Sequence, residues 1–174
     1  MLFDLSKSIE ILERTPAVLK TLLSNLSPDW TQQNEGGESW SPYDVIGHLI
    51  HGEKTDWIVR TQLILSKEAD KTFQPFDRFA QLNEGAKKNL SELLDEFQAL
   101  REENLAALKA MNISLANLEA TGIHPALGKV TLAQLLSCWT AHDLGHIGQI
   151  TRVMAKQYKD EVGPWIEYLS VLHK

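Results

Sequence analysis

A pair of histidines, His142 and His146, lies four residues apart in a segment whose apolar spacing predicts a helix. On a helix this spacing places both imidazole rings on one face, where two nitrogens can bind one metal ion at about 2 Å each. Zinc proteases use the same geometry, but this pair lacks the glutamate that follows their first histidine. The pair therefore indicates a metal site without that protease chemistry, and two half-exposed surface histidines are the alternative.

The segment around this pair is expected to be buried. Apolar residues recur along it: Leu135, Trp139, Ile147, Ile150 and Val153. Gly145 and Gly148 are poor helix formers, each costing about 1 kcal/mol relative to alanine, and they predict either close approach of a neighbouring helix or room for a ligand. Buried neutral imidazoles without acceptors are unfavourable, so burial favours a cation between them.

A third ligand has to come from another helix. His48 lies in an apolar stretch, residues 45–50, beside Gly47. A lone histidine in such a place is more often a hydrogen-bonded core residue, and His51, three residues further on, competes for the ligand role. We predict His48 as the third ligand because its immediate neighbours are more apolar.

Five other residues could take part in chemistry. For Cys138, a small buried thiol is the expected role, ahead of a ligand or nucleophile. Glu53 and Asp56 are candidate proton acceptors, although surface carboxylates are the default. We expect Asp143 to point away from the two histidines and Gln149 to reach a water on the metal.

The remaining candidates have simpler interpretations. His124 and His173 have no visible partner and are expected in solvent. Trp165 and Tyr168, near the C-terminus, are expected either to cap a pocket or to pack the end of the fold. The charged residues of the third helix are expected to form a solvated face: Glu92, Asp95, Glu96, Arg101, Glu102 and Glu103.

Four segments with apolar residues in steps of three and four would position these side chains. The first covers residues 5–26, and Pro16 should kink or divide it because proline lacks a donor N–H. The second begins after the N-cap Ser41, with Asp44 placed to complete a capping box, and should reach about residue 66.

The third segment covers residues 79–111, and Gly85 indicates that the helix starts only after it. The fourth has Thr131 as N-cap with Gln134 three residues on, and should run to about Gln157. A short closing helix is expected over residues 165–172. Four long helices without an alternating strand pattern predict an all-α four-helix bundle, in which long loops cross the bundle or line a pocket.

The composition excludes several classes of protein. With 174 residues, 43% hydrophobic and 23% charged, the chain is expected to form one globular domain over residues 1–174. A net charge of −6 argues against nucleic acid as a partner. Neither a signal peptide nor a membrane-length apolar stretch is visible, so we expect a cytoplasmic protein without a membrane partner. The single cysteine excludes an internal disulfide.

The sequence resembles the DinB/YfiT-like family of metalloenzymes. The matching elements are Trp40-Ser41-Pro42, then Gly47-His48-Leu49, and the segment from His142 to Gln149. Their order and separation also match, so the resemblance covers nearly the whole chain.

This resemblance implies an up-down-down-up four-helix bundle with one divalent metal ion, Zn or Ni, bound by His48, His142 and His146. It further implies a metal-dependent transferase or hydrolase that acts on a small-molecule substrate, with a low-molecular-weight thiol as co-substrate, and a homodimer. Three neutral histidines leave an ion its full charge and an open position, as in catalytic sites. A non-catalytic bundle that uses the metal for stability, dimerisation or stress sensing is the alternative, and a closed metal shell would favour it.

Overall fold

Helices dominate the structure, a computed structural model that describes residues 3–83 and 88–173. In chain order its elements are α1 (Leu5–Leu23), α2 (Pro28–Gln32), α3 (Pro42–Thr55), α4 (Trp57–Leu65), α5 (Ala80–Asn83), α6 (Leu90–Ala110), α7 (Leu115–Leu118), β1 (Thr121–His124), β2 (Gly128–Thr131) and α8 (Leu132–Lys156). Two 3₁₀ helices, Gly163–Tyr168 and Ser170–Leu172, follow α8. Within the described ranges, no helix is long and apolar enough to cross a membrane.

Four long units form the bundle: α1, the pair α3 and α4, α6, and α8. Contacts between α1 and α6 show that these two run in opposite directions. Lys20, near the end of α1, pairs with Asp95 at 2.7 Å, near the start of α6. Glu13, nearer the start of α1, pairs with Lys109 at 2.6 Å, near the end of α6.

The other two helix directions follow from similar contacts. The Tyr43 hydroxyl, at the start of α3, donates to the backbone carbonyl of Lys88 just before α6, so α3 and α6 run the same way. A hydrogen bond joins Ser8 near the start of α1 to Thr140 in the first half of α8, and these helices are also parallel. The bundle is therefore up-down-down-up, as expected.

The predicted capping boxes begin α3 and α8. The Ser41 hydroxyl accepts from the Asp44 amide at 3.2 Å, and the Asp44 carboxylate accepts from the Ser41 amide at 3.0 Å. Thr131 and Gln134 make the same exchange at the start of α8. Such caps contribute about 1 kcal/mol each and fix the first turn of the two helices that carry the candidate ligands.

Helix α1 is continuous through Pro16, where the sequence predicted a kink or a division. Proline cannot donate to the carbonyl of the residue four positions earlier, which here is Leu12. That carbonyl instead accepts from Arg101 Nη1 at 2.8 Å. The buried acceptor left free by the proline is thereby satisfied from a neighbouring helix.

The predicted second helix is divided at Asp56, where φ is −116° and ψ is −76°, and its second part ends at Leu65, close to the expected residue 66. The third helix begins at Leu90, after Gly85 as the sequence indicates, with Asn89 and Glu92 forming a capping box, and α5 is a separate short turn. Gly85 lies outside the described residues. The short closing helix expected over residues 165–172 is present as two 3₁₀ helices.

An antiparallel hairpin, β1–β2, lies between α7 and α8, although the sequence shows no alternating strand pattern. The connection from α4 to α6 runs beside it, and the Phe73 amide donates to the Ile123 carbonyl at 2.9 Å. Gly122 is required at this contact, since a Cβ there would lie 2.5 Å from the Phe73 ring. These strands are only four residues long, too short to produce a recognisable alternation.

Candidate metal centre

His48 from α3 and His142 and His146 from α8 meet at one point of the bundle. The Nε2 atom of His142 lies 3.1 Å from that of His48 and 3.0 Å from that of His146. One nitrogen from each ring lies within 4.8 Å of the other two, as in a metal-binding group. Metal–nitrogen bonds of about 2 Å place the nitrogens around one ion roughly 3–3.5 Å apart, so this spacing fits a shared ion.

Burial keeps the three rings neutral. Desolvation lowers the pKa of His48 to about 4 and that of His142 to about 3, and it lowers the pKa of His146 as well. Aromatic rings surround the cluster: Trp40 lies 4.7 Å from the His48 ring and Trp57 lies 5.1 Å from the His142 ring. Neutral imidazoles in such a setting offer lone pairs to a cation at physiological pH.

The proton positions support the same interpretation. Gln149 Oε1 lies 2.9 Å from His146 Nδ1, and since an amide oxygen only accepts, the proton of this ring belongs on Nδ1 and the lone pair on Nε2. The Nδ1 atoms of His48 and His142 are buried without a hydrogen-bond partner. His142 Nε2 faces two other ring nitrogens and can satisfy only one as donor, whereas a cation between them would satisfy all three.

Gln149 therefore orients the ring of a candidate ligand, and its predicted contact with a metal-bound water stays a prediction. The position of Gln149 three residues after His146 is the sequence signal that the two side chains lie close together. Histidines that bind a metal usually donate their second N–H to such an acceptor.

His51 does not join the cluster. Its ring packs against Phe76 with centroids 5.0 Å apart. Among the described residues, the group of histidine, cysteine and acidic side chains that could hold an ion consists of His48, His142 and His146, with no fourth member.

A cavity of about 370 Å³ opens in front of the cluster. Its wall consists of the three histidines together with Glu35, Glu38, Ser39, Trp40, Arg78, Gln149 and Arg152. A larger cavity of about 560 Å³ lies elsewhere, between α3 and α6, and none of the histidines lines it. The smaller cavity is the relevant one because the three histidines line it and the open side of their cluster faces it.

Directly behind the histidines lies a buried ionic network around Arg101, whose side chain is 1% exposed. Its guanidinium donates to Asp143 at 2.6 and 3.1 Å and to Glu53 at 2.7 and 3.2 Å. Burial alone would lower the pKa of Arg101, but Asp143 and Glu53 hold that pKa above its usual value. The solvated face predicted for the third helix is therefore wrong at Arg101, and the surface position expected for Glu53 is wrong as well.

Further donors complete this network. Trp139 Nε1 donates to Glu53 Oε1 at 3.2 Å, and the Asn104 amide donates to Glu53 Oε2 at 2.9 Å. Asp143 is fully buried and bonds Arg101 rather than a histidine, pointing away from the cluster as predicted. Through Glu53 and Asp143, Arg101 ties together the two helices that carry the candidate ligands.

Three expectations about neighbouring residues are wrong. Cys138 is exposed rather than a buried core thiol. Asp56 is buried beside Arg60, and burial raises its pKa to about 6. A Cβ at Gly145 or Gly148 would meet nothing within 4 Å, so no helix packs closely there, and neither glycine lines the cavity.

The peripheral candidates lie away from the cluster. His173 is exposed as predicted, although its Nε2 lies 2.7 Å from the Ile166 carbonyl oxygen. His124 is only partly exposed, and its Nδ1 accepts from two backbone amides of the hairpin turn. Trp165 and Tyr168 are 70% and 79% exposed, so they neither cap a pocket nor pack the bundle end.

Comparison with solved structures identifies relatives of the fold. YfiT from Bacillus subtilis, described as a probable metal-dependent hydrolase with an unusual four-helix bundle topology, superposes with a TM-score of 0.74 at 21% identity, over 89% of this chain and 87% of that one. TT2238, a four-helix bundle protein, gives a TM-score of 0.57 at 18% identity, over 85% of this chain and 98% of that one.

Comparison with curated protein sequences found no significant match. A family model, in contrast, matches residues 11–150, a range that begins in α1 and includes all three clustered histidines. Its description is the DinB superfamily, and its extent agrees with the up-down-down-up bundle and with the histidines carried on α3 and α8. On this evidence the chain belongs to the DinB superfamily.

Proposed function

We propose that this chain is a metal-dependent enzyme in which His48, His142 and His146 bind one divalent ion, Zn or Ni. One observation carries the proposal: three neutral histidine nitrogens converge at the wall of an open cavity, and no fourth protein ligand in the described residues closes the group. Catalytic metal sites keep such an open position, whereas structural sites close it. The non-catalytic alternative predicts a closed shell and is therefore the weaker candidate.

The proposed reaction is transfer of a low-molecular-weight thiol to a small molecule, or hydrolysis. A divalent ion supplies Lewis acidity, which lowers the pKa of a thiol or water that it binds, so both reactions need the same site. The chain itself orients the His146 ring through Gln149 and shields the cluster with Trp40 and Phe76. The description of YfiT supports hydrolysis, and the family resemblance supports thiol transfer.

Metal analysis joined to an activity panel tests this proposal. Purified protein should carry close to one Zn or Ni ion per chain, and His146→Ala should lose it, because two imidazoles do not retain the ion through dialysis. His173→Ala, an exposed histidine, is the matched control and should keep the ion.

The loaded protein is then assayed with small thiols plus an electrophilic acceptor, and with ester and amide substrates. Turnover that disappears in His146→Ala supports the enzyme. Full metal occupancy without turnover in either assay would favour the non-catalytic bundle, and undiminished metal in His146→Ala would remove the site itself.

A further inference from the structure

The cavity wall carries two arginines that the metal proposal does not use, and Arg78 is one of them. This residue lies on the connection between α4 and α6. Its guanidinium carbon lies 5.5 Å from the Trp40 ring centroid and 5.0 Å from that of Phe79. Both distances are those of cation–π contacts, which hold the guanidinium against the rings without consuming its five N–H donors.

The other arginine of the wall is already paired with a carboxylate. Arg152 donates to the two carboxylate oxygens of Glu35 at 2.8 and 2.9 Å, and Lys156 approaches the same carboxylate at 2.9 Å. No carboxylate in the described parts of the chain lies within ion-pair distance of Arg78. Of the two guanidinium groups facing the cavity, Arg78 is therefore the one whose N–H donors are not bonded to a carboxylate of the described residues.

Two carboxylates share the wall with Arg78. Glu35 is compensated by its two cationic partners. Glu38 and Arg78 are both exposed, so water screens both charges, but Arg78 is in addition held against the Trp40 and Phe79 rings. An anion entering the cavity is accordingly favoured at the corner formed by Arg78 and Trp40.

We propose that Arg78 binds an oxyanion group, a carboxylate or a phosphate, on the small molecule that occupies the cavity, and that it thereby determines substrate specificity. A planar guanidinium matches the two oxygens of such a group. The cavity of about 370 Å³ is at the small end of ligand sites, so a ligand in contact with the histidines also reaches its other walls. This inference rests on the proposed function, because the histidines define the other end of the ligand.

Cobalt-loaded protein allows a direct test without turnover. Two probe thiols of equal length are titrated, 3-mercaptopropionate and 3-mercaptopropan-1-ol, and the sulfur-to-cobalt charge-transfer absorption is followed. Wild-type protein should bind the carboxylated thiol about tenfold more tightly, the size expected for one charge-assisted hydrogen-bonded pair. Arg78→Gln should abolish that preference while leaving the affinity for the neutral thiol and the cobalt content unchanged.

Three controls sharpen the assignment. Arg14→Gln removes an exposed arginine outside the cavity wall and should keep the preference. Arg152→Gln should reduce it less than Arg78→Gln, since Arg152 is already paired. Competition by acetate and by inorganic phosphate distinguishes the two oxyanions, and the stronger competitor should lose its advantage in Arg78→Gln.

Several outcomes would overturn the role of Arg78. Equal affinity of wild-type protein for both thiols overturns it and leaves the proposed function intact. A preference that survives in Arg78→Gln, or disappears only in Arg152→Gln, assigns the carboxylate to the metal or to Arg152. Failure of the wild-type protein to bind cobalt or either thiol contradicts the proposed function, and the inference with it.

Discussion

The ionic network around Arg101 takes its two carboxylates from the helices that carry the histidine cluster, yet the two groups are satisfied in opposite ways. Asp143 follows His142 directly in α8, and Glu53 lies five residues after His48 in α3. Arg101 has hydrogen bonds to both carboxylates and to a backbone carbonyl. The histidines, in contrast, leave two buried Nδ1 atoms unpaired and crowd three Nε2 atoms together.

This difference indicates that the network positions the helices, whereas the cluster is suited to bind a ligand. A closed network fixes the relative position of the helices, because any displacement would strip a buried charge of its partner. An open cluster gains little from its internal contacts and has most to gain from a ligand. We therefore expect substitutions in the network to affect folding, and substitutions in the cluster to affect metal binding with little effect on folding.

The largest effect is expected for Arg101→Met. Removing the guanidinium leaves Glu53 and Asp143 as buried carboxylates without their cation, which should lower the free energy of unfolding by about 3–5 kcal/mol. Urea denaturation followed by circular dichroism measures this. Arg14→Met, at an exposed position, should change the value by less than about 0.5 kcal/mol. Equal stability of the two variants would contradict a positioning role for the network.

His48→Ala should have the opposite effect, a loss of metal binding with little change in folding stability. Metal content should fall from about one ion per chain to near zero, because only two ligands remain. The metal-free variant should unfold at nearly the same urea concentration as metal-free wild type. His51→Ala should keep the ion, since its ring contacts Phe76 rather than the cluster. Retention of metal by His48→Ala and its loss from His51→Ala would move the site by about one helical turn.

A smaller effect is expected for Gln149→Leu. The variant removes the acceptor that fixes the Nδ1 proton of His146, and loss of such a partner usually weakens metal affinity by about 10- to 100-fold. Competition with a metal-binding dye measures the dissociation constant. Gln149→Glu keeps an acceptor oxygen and should restore most of the affinity, whereas equal affinities of Gln149→Leu and wild type would leave Gln149 without a role.

The smallest effect concerns Glu35, which holds the loop before α3 to α8. Hydrogen bonding to Arg152, followed by that to Lys156 and opposed by burial, lowers the pKa of Glu35 from 4.5 to about 2. A carboxyl whose pKa is lowered by folding adds stability above its unfolded pKa and loses that contribution as the pH falls through its folded pKa. Glu35→Gln should therefore cost about 1–2 kcal/mol at pH 7, and this difference should vanish between pH 4.5 and pH 2.

Denaturation of wild type and Glu35→Gln at pH 7, 5, 4 and 3 measures that pH dependence. Glu13→Gln is the matched control, because the Glu13–Lys109 pair is exposed on both sides and should contribute little. A difference that stays constant from pH 7 to pH 3 would contradict the ion-pair explanation.

Local signals made the helix starts and the histidine cluster predictable. A capping box involves residues only three positions apart, so Ser41 with Asp44 and Thr131 with Gln134 could be recognised directly. The histidine spacing of four residues is equally local. The sequence analysis predicted neither the break at Asp56 nor the hairpin. Asp56 forms a buried pair with Arg60, four residues further on, where a surface carboxylate was expected. The hairpin is joined by a tertiary contact, the bond from Phe73 to its strand, which no local pattern reveals.

The sequence did contain a signal for the Arg101 network, but the charge of Arg101 led to the prediction of a solvated side chain. On α6 the buried residues follow one another in steps of three and four, and Arg101 occupies one of those positions: Leu94, Phe97, Arg101, Leu105 and Leu108. Glu53 on α3 and Asp143 on α8 likewise fall among the buried residues of their helices. A charged residue that falls at one of the apolar positions of a helix is thus a candidate for a buried ion pair. Such a pair is overlooked when every charged residue is assigned to the solvated face.

The direction of the second and third bundle helices has a consequence for how such proteins diversify. Because α3 and α6 run the same way, the chain must return along the bundle between them, and this return places Phe76 and Arg78 against the histidine cavity. Loops of this kind accept substitutions and insertions more readily than packed helices. A duplicated gene could therefore change the return segment, and with it the molecules accepted, while the histidine-bearing helices stay unaltered.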